Sequence, residues 1–196
     1  MKAYYHRRAP EYDDWWLGDG LYAPVPEKWT EERDELVLAI EGLPPKRTLD
    51  VACGTGFITR HLQGEVVGLD QSEAMLELAS QRVRTAQFLV GDGLELPFED
   101  GSFERVFTSH FYGHLEEADR PRFLAEARRV APELVVVDAG LHGGIERAEW
   151  QDRLLKDGSE WRVYKRFFTT STLLAELGGG AVLHSGRFFV AVRSPK

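Results

Sequence analysis

Three aspartates and two histidines carry the chemistry this chain can perform. Asp50, Asp70 and Asp92 recur at intervals of 20 and 22 residues. Each of the last two closes an apolar run, Glu65-Val66-Val67-Gly68-Leu69-Asp70 and Gln87-Phe88-Leu89-Val90-Gly91-Asp92. Between the first two acids lie Gly54 and Gly56, where a missing Cβ permits positive φ and lets a ligand approach the backbone. A carboxylate at the second position can accept both hydrogen bonds of a ribose diol. One at the third can accept from an adenine amino group. The run Ser109-His110-Phe111-Tyr112-Gly113-His114 adds two imidazoles, which can take up a proton near neutral pH. His110 is the first candidate base and His114 the second. Their alternative role is to pack or cap the segment that follows. No third ligand with metal spacing accompanies them, so no metal site is expected.

These groups need elements to aim them. Thr48, Leu49 and Val51 favour a strand ending near Ala52. Phe57, Ile58 and Leu62 suit a short helix after the glycine turn, whose N-terminus would add exposed N–H groups and positive potential. The rhythm of the three acids fits successive parallel strands whose C-terminal ends line one crevice. An isolated Gly-x-Gly can be merely a tight connection; the recurring acids argue against that.

The other elements follow in order. Ala3 to Ala9 suits a short helix within an aromatic-rich stretch, Tyr4 to Trp29, which Gly18, Gly20, Pro24 and Pro26 interrupt. Thr30 is placed to cap a helix carrying Leu36, Val37 and Ile40. Ser72 is placed to cap another with Met75, Leu76, Ala79 and Val83. Phe103 to Ser109 reads as the fourth strand and Glu116 to Val130 as a helix. Leu134 to Asp138 reads as a strand buried on both faces. Residues 140–168 look less regular. Ser171 or Thr172 starts a last helix ending at Gly178-Gly179-Gly180. Residues 181–184 and 187–192 read as a closing hairpin around Ser185-Gly186.

Asp50-Val51-Ala52-Cys53-Gly54-Thr55-Gly56 resembles the first motif of class I S-adenosylmethionine-dependent methyltransferases, most closely their ubiquinone- and menaquinone-biosynthesis-like small-molecule branch. Leu96 to Val106 resembles that branch's approach to the fourth strand. The resemblance spans roughly residues 45–140. Ala52 stands where the family has its first glycine. The resemblance implies an α/β fold, a Rossmann-like seven-stranded mostly parallel sheet with helices on both faces and an antiparallel last strand beside the fifth. It implies S-adenosyl-L-methionine as cofactor and a small-molecule methyl acceptor. The implied cofactor-binding residues are Asp50, Ala52, Gly54, Gly56, Asp70, Gln71, Met75, Gly91, Asp92, Gly93, Leu94 and Ser109, with Tyr4 and Tyr12 from an N-terminal lid. The expected organisation is a single domain over 1–196, with residues 1–30 as that lid, or as a hydrophobic flap packed on the core, and 140–170 as a substrate-pocket insertion. Arg8 could face the cofactor's methionine part. Tyr164-Lys165-Arg166 would either make the pocket cationic, suiting an anionic or phenolic acceptor, or form a solvated strand edge.

Composition bounds these readings. The chain has 196 residues, 43% hydrophobic and 29% charged, as in ordinary globular proteins. A formal charge of −8 argues against a general nucleic-acid binder. Lone Cys53 excludes an internal disulfide and fits a reducing, cytoplasmic compartment. No leader is recognised and no apolar run approaches roughly 18 residues, so neither secretion nor membrane insertion is expected. Two rivals stand beside the methyltransferase reading. A nicotinamide-dependent oxidoreductase needs the same turn and ribose acid, but Thr59 occupies the third glycine position of its fingerprint. A catalytically silent cofactor-binding or interaction protein would keep the same motifs.

Overall fold

The computed structural model describes residues 1–195. Its strands are β1 (Thr48–Val51), β2 (Val66–Asp70), β3 (Gln87–Val90), β4 (Arg105–Ser109), β5 (Glu133–Ala139), β6 (Ala148–Leu154), β7 (Glu160–Arg166), β8 (Ala181–Ser185) and β9 (Phe189–Pro195). Its α-helices are α1 (Lys2–Arg8), α2 (Asp14–Leu17), α3 (Trp29–Glu41), α4 (Glu73–Arg82), α5 (Asp119–Val130) and α6 (Thr170–Glu176). Seven strands form one sheet in the order β3-β2-β1-β4-β5-β9-β8. β1 to β5 pair in parallel, and β9 runs antiparallel beside β5. This is the expected Rossmann-like sheet. Strand order reverses at β1, with β2 on one side and β4 on the other, so a crevice opens at their C-terminal ends.

Burial follows from the pleat. Leu134, Val135, Val136 and Val137 are all buried, as a strand covered on both faces requires. Val106, Leu134 and Val136 join Phe123 and Ala127 of α5 and Leu173 of α6 in one core. Phe107, Val135 and Val137 point the other way, into a core with Leu36 and Ile40 of α3 and Trp16 of α2.

Several local expectations are corrected. No α-helix follows the glycine turn; Thr59–His61 forms one 3-10 turn. Only residues 52–65 link β1 to β2, and the turn consumes the first of them while Phe57 and Ile58 plug the core. Thr30 lies inside α3, which starts at Trp29 without a side-chain cap. Ser72 does cap α4, its Oγ accepting from the Met75 N–H at 3.3 Å. Thr169, rather than Ser171 or Thr172, caps α6 through a reciprocal capping box with Thr172. Residues 140–168 contain a regular hairpin, β6 paired with β7 from Ala148↔Arg166 to Leu154↔Glu160. Its turn holds Asp157-Gly158, with Gly158 at φ 80°. That dipeptide between alternating side chains is a hairpin signal.

The turn between β8 and β9 is pinned by one carboxylate. Buried Glu32 of α3 accepts from the backbone N–H groups of Arg187 at 3.0 Å, Phe188 at 2.7 Å and Phe189 at 2.7 Å. Any Cβ at Gly186 would lie 2.0 Å from Glu32 Oε1. Glu32→Ala is therefore expected to cost about 3 kcal/mol or more, because it orphans three N–H donors at once. Glu32→Gln keeps an acceptor oxygen and should cost clearly less. Chemical denaturation of both variants measures the difference.

Candidate active site

The crevice at the strand ends holds a cavity of about 220 Å³. From the β1 turn it is lined by Ala52 and Gly54, and from the end of β2 and the start of α4 by Asp70, Gln71 and Met75. The loop after β3 supplies Gly91, Asp92, Gly93 and Leu94; the end of β4 supplies Ser109 and His110. His114 and the N-terminal Tyr12 complete the set. Tyr5 and Phe111 also line it and were not singled out in the sequence.

Three expected residues lie elsewhere. Asp50 is buried beneath the turn and accepts from Thr59 Oγ1 at 2.6 Å. Gly56 faces α4, where a Cβ would stand 3.2 Å from both Ala79 Cα and Cβ. Its φ of 72° and this packing require glycine. Tyr4 lies against Tyr5 and Trp161, with ring centroids 4.9 and 5.7 Å away, on the hairpin side.

Backbone donors hold the carboxylates that line the cavity. Asp70 Oδ2 accepts from the Gly54 N–H at 3.0 Å and Oδ1 from the Ser72 N–H at 2.8 Å, which fixes both oxygens at the mouth of the turn. Burial raises its pKa, and the backbone donors oppose that rise. Asp92 Oδ1 accepts from the Leu94 N–H at 2.9 Å. At Gly93 a Cβ would reach Val51 at 2.8 Å and Phe111 at 3.0 Å. Ser109 Oγ is buried and has no hydrogen-bond partner among the described residues. Ala52 sits at φ 58°, a strained value for alanine where glycine would be at ease.

The imidazoles differ. His110, at φ 54°, is wedged edge-on against Trp15 and Trp16, with centroids 4.6 and 5.0 Å away. Its Nδ1 is 3.9 Å from Asp138 Oδ1, beyond hydrogen-bond reach. His114 Nδ1 lies 2.7 Å from the Tyr164 carbonyl oxygen. A carbonyl can only accept, so Nδ1 carries the proton and a neutral ring leaves Nε2 as the acceptor. Burial, then Lys165, holds both pKa values well below the usual histidine value.

A second cavity, of about 360 Å³, adjoins the first. Tyr5, Tyr12, His110 and His114 line both. Lys165 is buried here and donates to Asp138 Oδ1 at 2.6 Å, and Arg166 pairs with Glu176. The solvated-edge alternative for this stretch is thereby corrected. The N-terminal segment covers the glycine turn. A Cβ on Gly54 would meet Tyr12 at 3.4 Å, and Asp13 accepts from Thr55 Oγ1 at 2.5 Å while pairing with Arg82. Asp13 carried no motif that sequence reading could use. No group of three or more metal-ligating side chains occurs among the described residues. No helix among them is long and apolar enough to cross a membrane.

A doubly wound sheet with a glycine turn, a ribose-type acid and a third-strand acid at its switch point defines a nucleoside-cofactor protein of the Rossmann-like type. A family model described as "Methyltransferase domain" matches residues 49–133. The demethylmenaquinone methyltransferase of Deinococcus radiodurans is 34% identical over 168 residues, covering 77% of this chain and 67% of that protein. That of Thermotoga maritima is 37% identical over 131 residues, covering 64% and 54%. Among solved structures, a DhpI-SAM-HEP complex aligns with a TM-score of 0.78 at 26% identity, covering 98% of this chain and 95% of that one. The PH0226 protein from Pyrococcus horikoshii shares the fold, with a TM-score of 0.69 at 21% identity over the whole of both chains. The chain belongs to the class I S-adenosylmethionine-dependent methyltransferase family. The match to the Thermotoga relative spans about half that protein's length.

Asp50 yields a test of its placement. Burial raises its pKa to about 7, against 3.8 for an ordinary aspartate. A carboxyl whose pKa rises on folding stabilises the fold while protonated, and that stability is lost as pH climbs from about 4 towards 7. Asp50→Asn escapes this loss. It should be more stable than the wild type at pH 8, by about 1 kcal/mol or more, and so melt higher, and the gap should close near pH 4. Thermal scans across pH measure this, and S-adenosylhomocysteine affinity should stay unchanged.

Proposed function

We propose that the chain transfers a methyl group from S-adenosylmethionine to a small-molecule acceptor. One observation carries the reading: the cleft lined by Gly54, Asp70 and Asp92 shares a wall, which includes His110 and His114, with a second cavity. When bound, S-adenosylmethionine supplies a methyl group already activated on a sulfonium. Asp70 would hold the ribose hydroxyls, Asp92 the adenine amino group, and Leu94 and Met75 the faces of the ring. The printed names of the relatives and of the DhpI complexes with SAM and SAH support the same cofactor. The nicotinamide alternative loses support because a 3-10 turn, not a helix N-terminus, follows the glycine turn. A pyrophosphate would need that terminus.

In-line displacement asks the protein chiefly for alignment and dryness. Residues 1–30 act as the lid, with Tyr12 over Gly54, and the hairpin within 140–170 walls the acceptor cavity. His114 is the better-poised base, since its tautomer leaves Nε2 free to accept a proton. His110 positions the aromatic wall.

Two outcomes test this. Asp70→Ala should weaken S-adenosylhomocysteine binding at least about tenfold in calorimetric titration, since it removes charge-assisted bonds worth roughly 1.5–3 kcal/mol each. Equal affinities would remove the site assignment. His114→Gln should lower kcat by about 100-fold or more while leaving S-adenosylhomocysteine affinity unchanged. Because the neutral ring is the active form and its pKa is depressed, the acid limb of the wild-type rate profile should fall below pH 6.5. A limb centred above 6.5 would exclude His114 as the base.

A further inference from the structure

The second cavity concentrates positive charge in an acidic protein. The chain carries a formal charge of −8. Yet Arg8, Arg153, Lys165 and Arg187 all line this cavity, and no aspartate or glutamate does. Lys165 is neutralised by Asp138, which sits behind the wall at 2.6 Å. The three arginines have no carboxylate within ion-pair distance among the described residues. They come from α1, from β6 and from the turn between β8 and β9, segments far apart in sequence that converge on one space.

Arg8 is the most telling of them. Its side chain is buried, at 8% exposure. Among the described residues its guanidinium donates only to phenols, Tyr4 Oη and Tyr22 Oη, each at 2.9 Å. The rings of Tyr4, Tyr12 and Tyr22 surround it at 5.0 to 5.7 Å. Its Nε is buried with no acceptor among the described residues, as is Trp29 Nε1. Buried charge is costly to leave unpaired, and buried donors find partners in nearly all proteins. A bound anion would compensate the Arg8 guanidinium, which no carboxylate among the described residues pairs.

We propose that this cavity binds the methyl acceptor by an oxyanion, a carboxylate or a phosphate, held between Arg8, Arg153 and Arg187. The assignment rests on the methyltransferase reading for what the anion is, and on the cavity alone for the binding of an anion. Arg8 by itself would also suit the cofactor's own carboxylate. Arg153 and Arg187 do not line the cofactor cleft, so they call for a second anion. Arginine's fork suits a planar or tetrahedral oxyanion through paired N–H donors.

The test is a titration of the protein saturated with S-adenosylhomocysteine, at constant ionic strength. Acetate and inorganic phosphate are the probes, and acetamide is the uncharged control. Calorimetry and the fluorescence of Trp15 and Trp29, which line the cavity, give the readout. One of the two anions should bind and acetamide should not; which one binds separates carboxylate from phosphate. The double variant Arg153→Gln with Arg187→Gln should weaken that binding roughly tenfold or more, and S-adenosylhomocysteine affinity should stay within about twofold. Arg153 is half-buried and Arg187 exposed, so both changes should leave the fold intact. Retained S-adenosylhomocysteine binding without anion binding overturns the proposal and leaves the cofactor reading standing. Anion binding that the double variant does not weaken, or that S-adenosylhomocysteine displaces, also overturns it, because the anion then occupies the cofactor's carboxylate position. Failure of S-adenosylhomocysteine itself to bind overturns the methyltransferase reading instead.

Discussion

The buried carboxylate of Asp138 is the constraint around which the site is assembled. It lies at the C-terminal end of β5 with no exposed surface. Its oxygens accept from the N–H of Gly113 at 2.6 Å, from its own neighbour Ala139 at 2.8 Å and from Lys165 Nζ at 2.6 Å. Those three donors belong to the loop after β4, to β5 and to β7. One charge therefore ties the β6–β7 hairpin to the central sheet and fixes the loop bearing His114. A Cβ on Gly113 would fall 2.7 Å from Asp138 Oδ1, so the loop can approach only with glycine there. Removing one member of such a buried pair leaves the other uncompensated, which is why the arrangement behaves as a unit.

The N-terminal segment is held by the same kind of logic on the opposite wall. Asp13 bridges Thr55 of the glycine turn and Arg82 of α4, and Glu11 accepts from the Lys156 N–H at 2.8 Å in the hairpin turn. Trp16 stacks on Phe57 and Phe189, nearly parallel at 6° and 12°. The segment thus packs on the sheet, the turn and the hairpin together. Its polar ties sit at the rim and its aromatics inside, so it closes the crevice without supplying a strand to the sheet. Arg8 enters the site by this route, delivered by a helix whose other buried side chain, Tyr4, packs on the hairpin.

Much of the frame was legible because its signals are local. Buried parallel strands read as apolar runs, and the acids that close them mark the crevice by their spacing alone. Ser72 ahead of Met75 and Leu76 announced α4 through the chemistry of its hydroxyl. The strand count and the antiparallel last strand beside the fifth came with the family resemblance, since periodicity carries no information on which strands are neighbours. The β6–β7 hairpin was missed although Asp157-Gly158 marks its turn. β6 alternates half-exposed and exposed residues, and the two buried residues of β7 are one valine and one lysine, Val163 and Lys165, so no apolar stripe advertises them.

What the sequence determined by itself is therefore the crevice: a glycine turn after a first strand, with Asp70 and Asp92 at the ends of the next two. Backbone freedom and strand period fix these within short stretches of chain. What only the tertiary structure decided is the use of each group. Asp50 and Gly56 fall outside the cavity lining, against Thr59 and Ala79, a placement that packing rather than the motif sets. His114, unlike His110, has its tautomer fixed, because Tyr164, fifty residues away, offers its carbonyl to Nδ1. The gathering of Arg8, Arg153 and Arg187 around one cavity has no local trace, since charge in a sequence shows its sign and amount but not the place where the fold brings it together.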